Sequence, residues 1–173
     1  MATDSDSVNK TFYASPQRSS AEEIEKDYSD FISQKYFIDI LGAITGIVIV
    51  LNENRQIIYV NEDFIKALGL DSVSEVLGKR PGEALGCIHS HDMDAGCGTS
   101  EACTFCGAVN SIVESQNNNG KAIKEARLTT QPGEFQVSWD MMVSTSPVNL
   151  NGRTFSVLSL NDISHEKRRQ NLE

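Results

Sequence analysis

The sequence predicts an α+β domain built around one antiparallel sheet. Two strand-like segments precede a helical middle and three strand-like segments follow it, an order that favours a sheet with helices packed over it. The 173 residues are 39% apolar and 23% charged, which is typical of one ordinary globular domain. A chain of this length buries a sizeable core without disulfides, so its cysteines are not needed for stability alone.

The N-terminal part is predicted to be a disordered tail followed by one helix. Residues 1–19 are polar and lack the basic start and apolar stretch of a signal peptide. Residues 20–42 form the predicted helix, with acidic side chains at its start. Its apolar residues follow a helical spacing: Ile24, Tyr28, Phe31 and Ile38. That stripe suits packing on the same domain and a heptad contact in a homodimer equally well.

Two strands and a helix are predicted next along the chain. Ile47–Leu51 is a β-branched run, residues 52–55 are typical of a turn, and residues 56–60 form the second strand. Asn61 then begins a helix that Gly69 ends. Because Asn is a preferred N-cap residue, we expect Asn61 to be a helix cap rather than a ligand contact.

The second half of the sheet follows the cysteine-rich segment. A longer helix is predicted for residues 100–115, and strands are predicted for residues 121–130 and 153–161. Between those strands, apolar residues alternate and predict one buried face: Phe135, Val137, Trp139, Met141 and Val143. The polar and basic residues 164–173 are predicted to begin a C-terminal helix.

The charge and hydropathy patterns exclude several classes of partner. A net charge of −9 argues against binding nucleic acid or an anionic membrane surface. The longest apolar run, residues 40–51, has 12 residues and is too short to span a bilayer. The protein is therefore predicted to be cytoplasmic. In that reducing compartment, clustered cysteines more often hold a metal or sense redox state than form permanent disulfides.

Three motifs resemble those of the PAS domain family, the sensor module of many bacterial and archaeal signalling proteins. Residues 59–64 (YVNEDF) resemble the "xxN.AF" helix entry of the family, and residues 77–85 (LGKRPGEAL) resemble its "hIGk" segment. Residues 160–164 (LNDIS) are similar to its Asp-Ile-Thr boundary. The match covers residues 38–164, and the order and spacing of the motifs make it specific.

The resemblance implies a five-stranded antiparallel sheet of order 2-1-5-4-3 over residues 43–163. Helices cover one face of such a sheet and enclose a ligand cavity, and the exit helix passes a signal to a histidine kinase or another effector. The cysteine-rich segment, residues 87–106, is similar to a subgroup of PAS-containing histidine kinases, some relatives of which hold iron–sulfur clusters through cysteines. The chain shows no kinase motifs, so it is predicted to be a sensor rather than an enzyme.

All four cysteines lie in that segment: Cys87, Cys97, Cys103 and Cys106. Four soft sulfur donors are what a tetrahedral metal or an iron–sulfur cluster requires. Cys103 and Cys106 are predicted to project from one face near the start of the 100–115 helix, whose N-terminus should lower their pKa. Gly96 and Gly98 flank Cys97 and permit the positive φ that brings its sulfur over the helix end.

The identity of the centre is left open by the residues alone. His89 and His91 are the alternative ligands for a missing thiolate, although each taken singly is expected to be an exposed loop residue. Zinc would give a static brace, whereas an iron–sulfur cluster would give an oxygen or redox sensor, which suits a fold that needs no brace. The metal-free alternatives are structural disulfides, unpaired thiols, and a reversible disulfide between Cys103 and Cys106.

The predicted function is therefore a cytoplasmic PAS sensory domain that detects redox state or oxygen through a cysteine-ligated iron–sulfur or metal centre. The alternative is a homodimerising interaction module with a structural zinc or a thiol/disulfide switch. A thiol-redox enzyme is a third hypothesis, but the Cys-Thr-Phe-Cys segment lacks the βαβ context of thioredoxin-like enzymes.

Overall fold

The computed structural model describes residues 10–170, which form one five-stranded sheet with helices on both faces. The helices are α1 (Ala21–Ile32), α2 (Lys35–Gly42), α3 (Glu62–Leu68), α4 (Pro81–Ala84), α5 (Gly107–Asn118) and α6 (Ser164–Gln170). The strands are β1 (Ile47–Leu51), β2 (Ile57–Val60), β3 (Ala122–Thr130), β4 (Val137–Leu150) and β5 (Arg153–Asp162). Short 3-10 turns lie at Val73–Glu75, Ile88–His91 and Ala102–Phe105. Within residues 10–170, no helix is both long and apolar enough to cross a membrane.

The sheet has the strand order β2-β1-β5-β4-β3, and every neighbouring pair is antiparallel. This confirms the predicted fold class and the order 2-1-5-4-3. The alternating side chains of β1 enter two separate cores, as the pleat of a strand requires. Ile49 and Leu51 pack with Phe64 of α3 and with α5, whereas Val48 and Val50 pack against α1 and α2 on the opposite face.

The predicted N-terminal helix, residues 20–42, is broken into α1 and α2 at Ser33. The Ser33 hydroxyl donates to the carbonyl of Asp30 at 2.7 Å, and such a local bond competes with continued helix. Ile24 and Phe31 are buried against the outer face of the sheet. The apolar stripe therefore packs at least in part on its own domain, and the homodimer contact stays a prediction.

The N-terminal segment, residues 10–19, runs along the cysteine-rich loop. It is joined to that loop by two backbone hydrogen bonds of 2.9 and 3.0 Å, from Phe12 N to Thr99 O and from Ala14 N to Gly98 O. The prediction of disorder for residues 1–19 is therefore wrong for residues 10–19, because the loop offers them backbone partners that composition does not reveal. Residues 1–9, like residues 171–173 of the predicted exit helix, lie outside the described residues.

The helix after the cysteine-rich segment begins later than predicted. Cys106 is the N-cap of α5 and has an extended backbone, with φ −76° and ψ 115°, so the helix starts at Gly107 rather than at residue 100. Cys103 lies in the preceding 3-10 turn. The two cysteines consequently do not project from one helix face, and that prediction is wrong.

The alternating apolar residues around β4 are only partly buried. Val143 is fully buried and Met141 packs against the same core, but Trp139 is 46% exposed. Phe135 and Val137 are also exposed. Residues 131–139 are all exposed, so the prediction of one continuous buried face is wrong for its first half.

Candidate functional site

A cavity of about 300 Å³ lies between the helices and the inner face of the sheet. All four cysteines line it, together with His89, whereas His91 does not. Much of the remaining wall is apolar and comes from α5 and the sheet: Val109, Ile112, Ala126, Leu128, Met141, Leu158 and Leu160. The structure thus brings the four predicted sulfur ligands to one internal space.

Gly82 in α4 leaves room for two of the cysteines. A Cβ atom at this position would lie 2.7 Å from Cys97 Sγ and 3.3 Å from Cys87 Cβ. The amide of Cys87 also donates to the carbonyl of Gly82 at 2.8 Å. Cys87 and Cys97 therefore both lie against this glycine, in space that a larger residue would fill.

The Cys103 sulfur is held by two hydrogen-bond donors. The Gly98 amide and the Ser100 hydroxyl both lie 3.3 Å from its Sγ atom. Gly98 has φ 93° and Gly96 has φ 85°, so the positive φ predicted for both glycines is confirmed. These two contacts fix the position of the Cys103 sulfur at the cavity wall.

Burial raises the pKa of three of the cysteine thiols in this cavity. It raises the pKa of Cys87 and Cys106, and it raises the pKa of Cys97 to about 12. The amides of Ala108 and Val109 at the start of α5 act to lower the pKa of Cys106, but burial outweighs them. The predicted lowering of the Cys106 pKa at the helix N-terminus is therefore wrong, and metal binding must displace the proton of this thiol.

The spacing of the ligands bears on the kind of centre that the cavity fits. The four cysteines are free thiols, and within residues 10–170 no three His, Cys, Asp or Glu side chains are placed to hold one metal ion. Sulfurs on a single zinc must come within about 3.8 Å of each other, because each Zn–S bond is about 2.3 Å. An iron–sulfur cluster also takes four cysteines, but distributes them over two or four irons, so it does not require all four sulfurs on one ion.

A fully buried arginine, Arg80, fixes the loop that carries Cys97. Its five guanidinium hydrogen bonds, of 2.7–3.2 Å, all go to backbone carbonyls: those of Asn54, Ala95, Cys97, Ser15 and Gln17. Burial lowers the pKa of Arg80 to about 9, so it remains a cation at neutral pH. Sequence reasoning missed this residue, because a basic residue after Gly78 and Lys79 looks like ordinary surface charge.

A second buried arginine, Arg55, lies at the cavity wall. It is only 4% exposed, and its guanidinium lies against Gly98, beside the loop that bonds Cys103. Burial lowers its pKa from the ordinary arginine value. Arg55 adopts φ 62° in the β1–β2 turn, a left-handed conformation that such turns usually give to Gly or Asn. The sequence predicted the turn but not the arginine's role in it.

The cavity wall also contacts the exit helix through β3. A Cβ atom at Gly107, the first residue of α5, would overlap the carbonyl oxygen of Glu125. The Glu125 carboxylate in turn lies 2.5 Å from Lys167 Nζ in α6. The start of α5, which follows Cys106, is therefore joined to the exit helix through one residue of the sheet.

Solved structures share this fold. The PAS domain of nitrogen regulation protein NR(II) from Vibrio parahaemolyticus aligns with 75% of this chain and 100% of its own, at 9% identity and TM-score 0.53. A light-oxygen-voltage domain studied with a flavin analogue aligns over 82% of this chain and 94% of its own, at 12% identity and TM-score 0.53. An RNA-binding light-oxygen-voltage receptor aligns over 83% of this chain and 39% of its own, at 14% identity and TM-score 0.54.

These likenesses establish the PAS fold of the chain and, at such identities, nothing finer. No protein-family model matches the sequence, and no curated protein matches it. The function of the cysteine site therefore has to be argued from its own residues.

Proposed function

We propose that this chain is a cytoplasmic PAS sensory domain of a signal-transduction protein of the histidine-kinase type, and that it detects redox state or oxygen. Its sensing centre is an iron–sulfur cluster bound by Cys87, Cys97, Cys103 and Cys106. One observation carries the proposal: all four cysteines of the chain are free thiols that line the internal cavity of the PAS fold.

The chain's own residues supply what such a centre needs. Four thiolates come from three stretches of backbone around one largely apolar space. The Gly98 amide and the Ser100 hydroxyl donate to Cys103 Sγ, and hydrogen bonds to ligand sulfur tune the reduction potential of such a centre. The cluster, when bound, supplies a one-electron or oxygen-sensitive change of charge in the cavity.

Signal output in this proposal leaves through α5 and β3. Cys106 is the N-cap of α5, and the next residue, Gly107, lies on the backbone of Glu125. A shift of that helix end would move β3 and with it the ion pair between Glu125 and Lys167 of the exit helix. The effector attached to that helix is a histidine kinase or a comparable output domain, and the working unit is a homodimer.

The replacement Cys103→Ser is expected to reduce iron content after anaerobic reconstitution by at least about tenfold while the domain stays folded. The sheet core does not include Cys103, so the apo fold is retained, but the replaced thiolate is the ligand held by two donors. Iron, acid-labile sulfide and the circular dichroism spectrum are measured for the full chain. The matched control is Thr104→Ala, an exposed neighbour in the same 3-10 turn that does not line the cavity.

Other outcomes of that experiment would support the alternatives. Colourless protein with one bound zinc, and a Cys103→Ser variant that fails to fold, would indicate a structural brace in a dimerisation module. Metal-free protein that forms a reversible disulfide between Cys103 and Cys106 would indicate a thiol switch. Full iron content in Cys103→Ser would contradict the proposed ligand set.

A further inference from the structure

The cavity wall carries two buried positive charges that form no ion pair among the described residues, although the Glu83 carboxylate nearby acts to raise the pKa of both. Arg55 is 4% exposed and Arg80 is fully buried, and the ion pairs within residues 10–170 include neither of them. The nearby Glu83 carboxylate is instead paired with Arg18. A buried cation without a counter-charge is costly, so its retention at a cavity points to an anionic partner.

The two arginines differ in what their donors do. All five guanidinium hydrogen bonds of Arg80 go to backbone carbonyls, so this arginine has no donor left for a ligand in the cavity. Arg55 makes one guanidinium hydrogen bond within the described residues, from Nη2 to Ser15 O at 2.8 Å. Its remaining donors belong to a side chain that lines the cavity beside the cysteines. Among the described residues no Arg55 nitrogen is both fully buried and without a partner, so its remaining donors keep some accessible surface and are open to an acceptor.

The net negative charge of a four-thiolate centre is complementary to the positive charge of the two arginines. Four thiolates carry a charge of −4, and a zinc ion or an oxidised cluster core carries about +2. The bound centre therefore has a net charge of about −2. Arg55 and Arg80 supply two positive charges in the same low-dielectric space, where charge pairing is strong.

We propose that Arg55 is the counter-charge of the cysteine centre: it stabilises the bound four-thiolate anion and raises the reduction potential of the centre. This inference rests on the proposed function and adds a positioning and tuning residue to it. Arg55 acts through charge and through donors that reach the cavity, not as a metal ligand. Arg80 contributes the second charge while it holds the Cys97 loop in place.

The test compares the reconstituted full chain with Arg55→Gln. Loss of the bound centre to a chelator is expected to be about 10- to 100-fold faster in Arg55→Gln than in the wild-type chain, as for other residues that support metal ligands. If the centre is redox-active, its midpoint potential is expected to fall by about 59 mV, which corresponds to a tenfold change for one electron. Arg55→Lys keeps the charge and is expected to retain most of both properties.

The matched control is Arg169→Gln, which makes the same change of charge at an exposed position of α6. It is expected to match the wild-type chain in chelator resistance and potential. Equal behaviour of Arg55→Gln and the wild-type chain, with both loaded and folded by circular dichroism, would overturn the role of Arg55 alone. A wild-type chain that loads no metal or cluster would overturn the proposed function and this inference together. Failure of Arg55→Lys to rescue a folded, defective Arg55→Gln would also overturn the charge argument.

Discussion

Replacing Arg80 with alanine is expected to lower the free energy of unfolding by about 4 kcal/mol. The change removes five hydrogen bonds to backbone carbonyls and leaves those of Asn54, Cys97 and Gln17 without a side-chain donor, whereas Ala95 O and Ser15 O keep Arg18 and Arg55 as donors. Each buried acceptor left unsatisfied costs about 1–3 kcal/mol. Relaxation of the loop, entry of water and removal of the buried charge offset part of that sum. Because three chain segments meet at this guanidinium, the cysteine-rich loop and the N-terminal segment should loosen together.

Chemical denaturation of the metal-free chain measures the effect of Arg80→Ala. Arg80→Lys keeps the charge but has only three donors, so it is expected to be intermediate. Arg169→Ala, on the exposed face of α6, is expected to change the unfolding free energy by less than about 0.5 kcal/mol. If Arg80→Ala lowers the unfolding free energy by less than about 1 kcal/mol, other groups must donate hydrogen bonds to those carbonyls.

The second large effect is expected for Gly107→Ala, which should lower the free energy of unfolding by about 3 kcal/mol or more. The added Cβ would overlap the carbonyl oxygen of Glu125. Both atoms are fixed by the backbone, so no side-chain rotation relieves the overlap. The start of α5 would have to lift from β3, which would also displace Cys106. We therefore expect reduced iron content in this variant in addition to its lower stability.

Gly42→Ala is the matched control for that variant. Gly42 ends α2 on the other face of the sheet, and a Cβ atom added there would meet no heavy atom within 4 Å. Its replacement is expected to be neutral or to stabilise the domain by up to about 1 kcal/mol, because alanine favours helix. Thermal and chemical denaturation are compared for both variants. Equal stability of Gly107→Ala and the wild-type chain would contradict the close contact between α5 and β3.

Elements with local signals were predicted correctly from the sequence. Asn61 caps α3 through the Phe64 amide and also bonds β1, and Gly69 ends that helix with φ 62°. The sheet order was predicted from the resemblance to PAS domains, and the structure confirms it. The same local logic predicted the positive φ of Gly98.

Features that depend on distant partners could not be predicted. Arg80 is buried because carbonyls from three separate segments surround it, and no residue near it in the sequence indicates that environment. The N-terminal segment is ordered for the same reason, since its partners lie at Thr99 and Gly98. The pKa of Cys106 was predicted in the wrong direction because burial, which composition cannot reveal, outweighs the helix N-terminus.

The central claim is that the four thiols lining the PAS cavity bind one iron–sulfur centre. The most direct measurement is Mössbauer spectroscopy of the full chain, purified without oxygen and loaded with ⁵⁷Fe, together with the ratio of iron to acid-labile sulfide. We predict equal amounts of iron and sulfide, with all the iron in the signal of a thiolate-bound cluster. Replacing any one of the cysteines at positions 87, 97, 103 and 106 with serine is expected to diminish that signal. Iron that is absent, or bound without sulfide and unaffected by those changes, would contradict the claim.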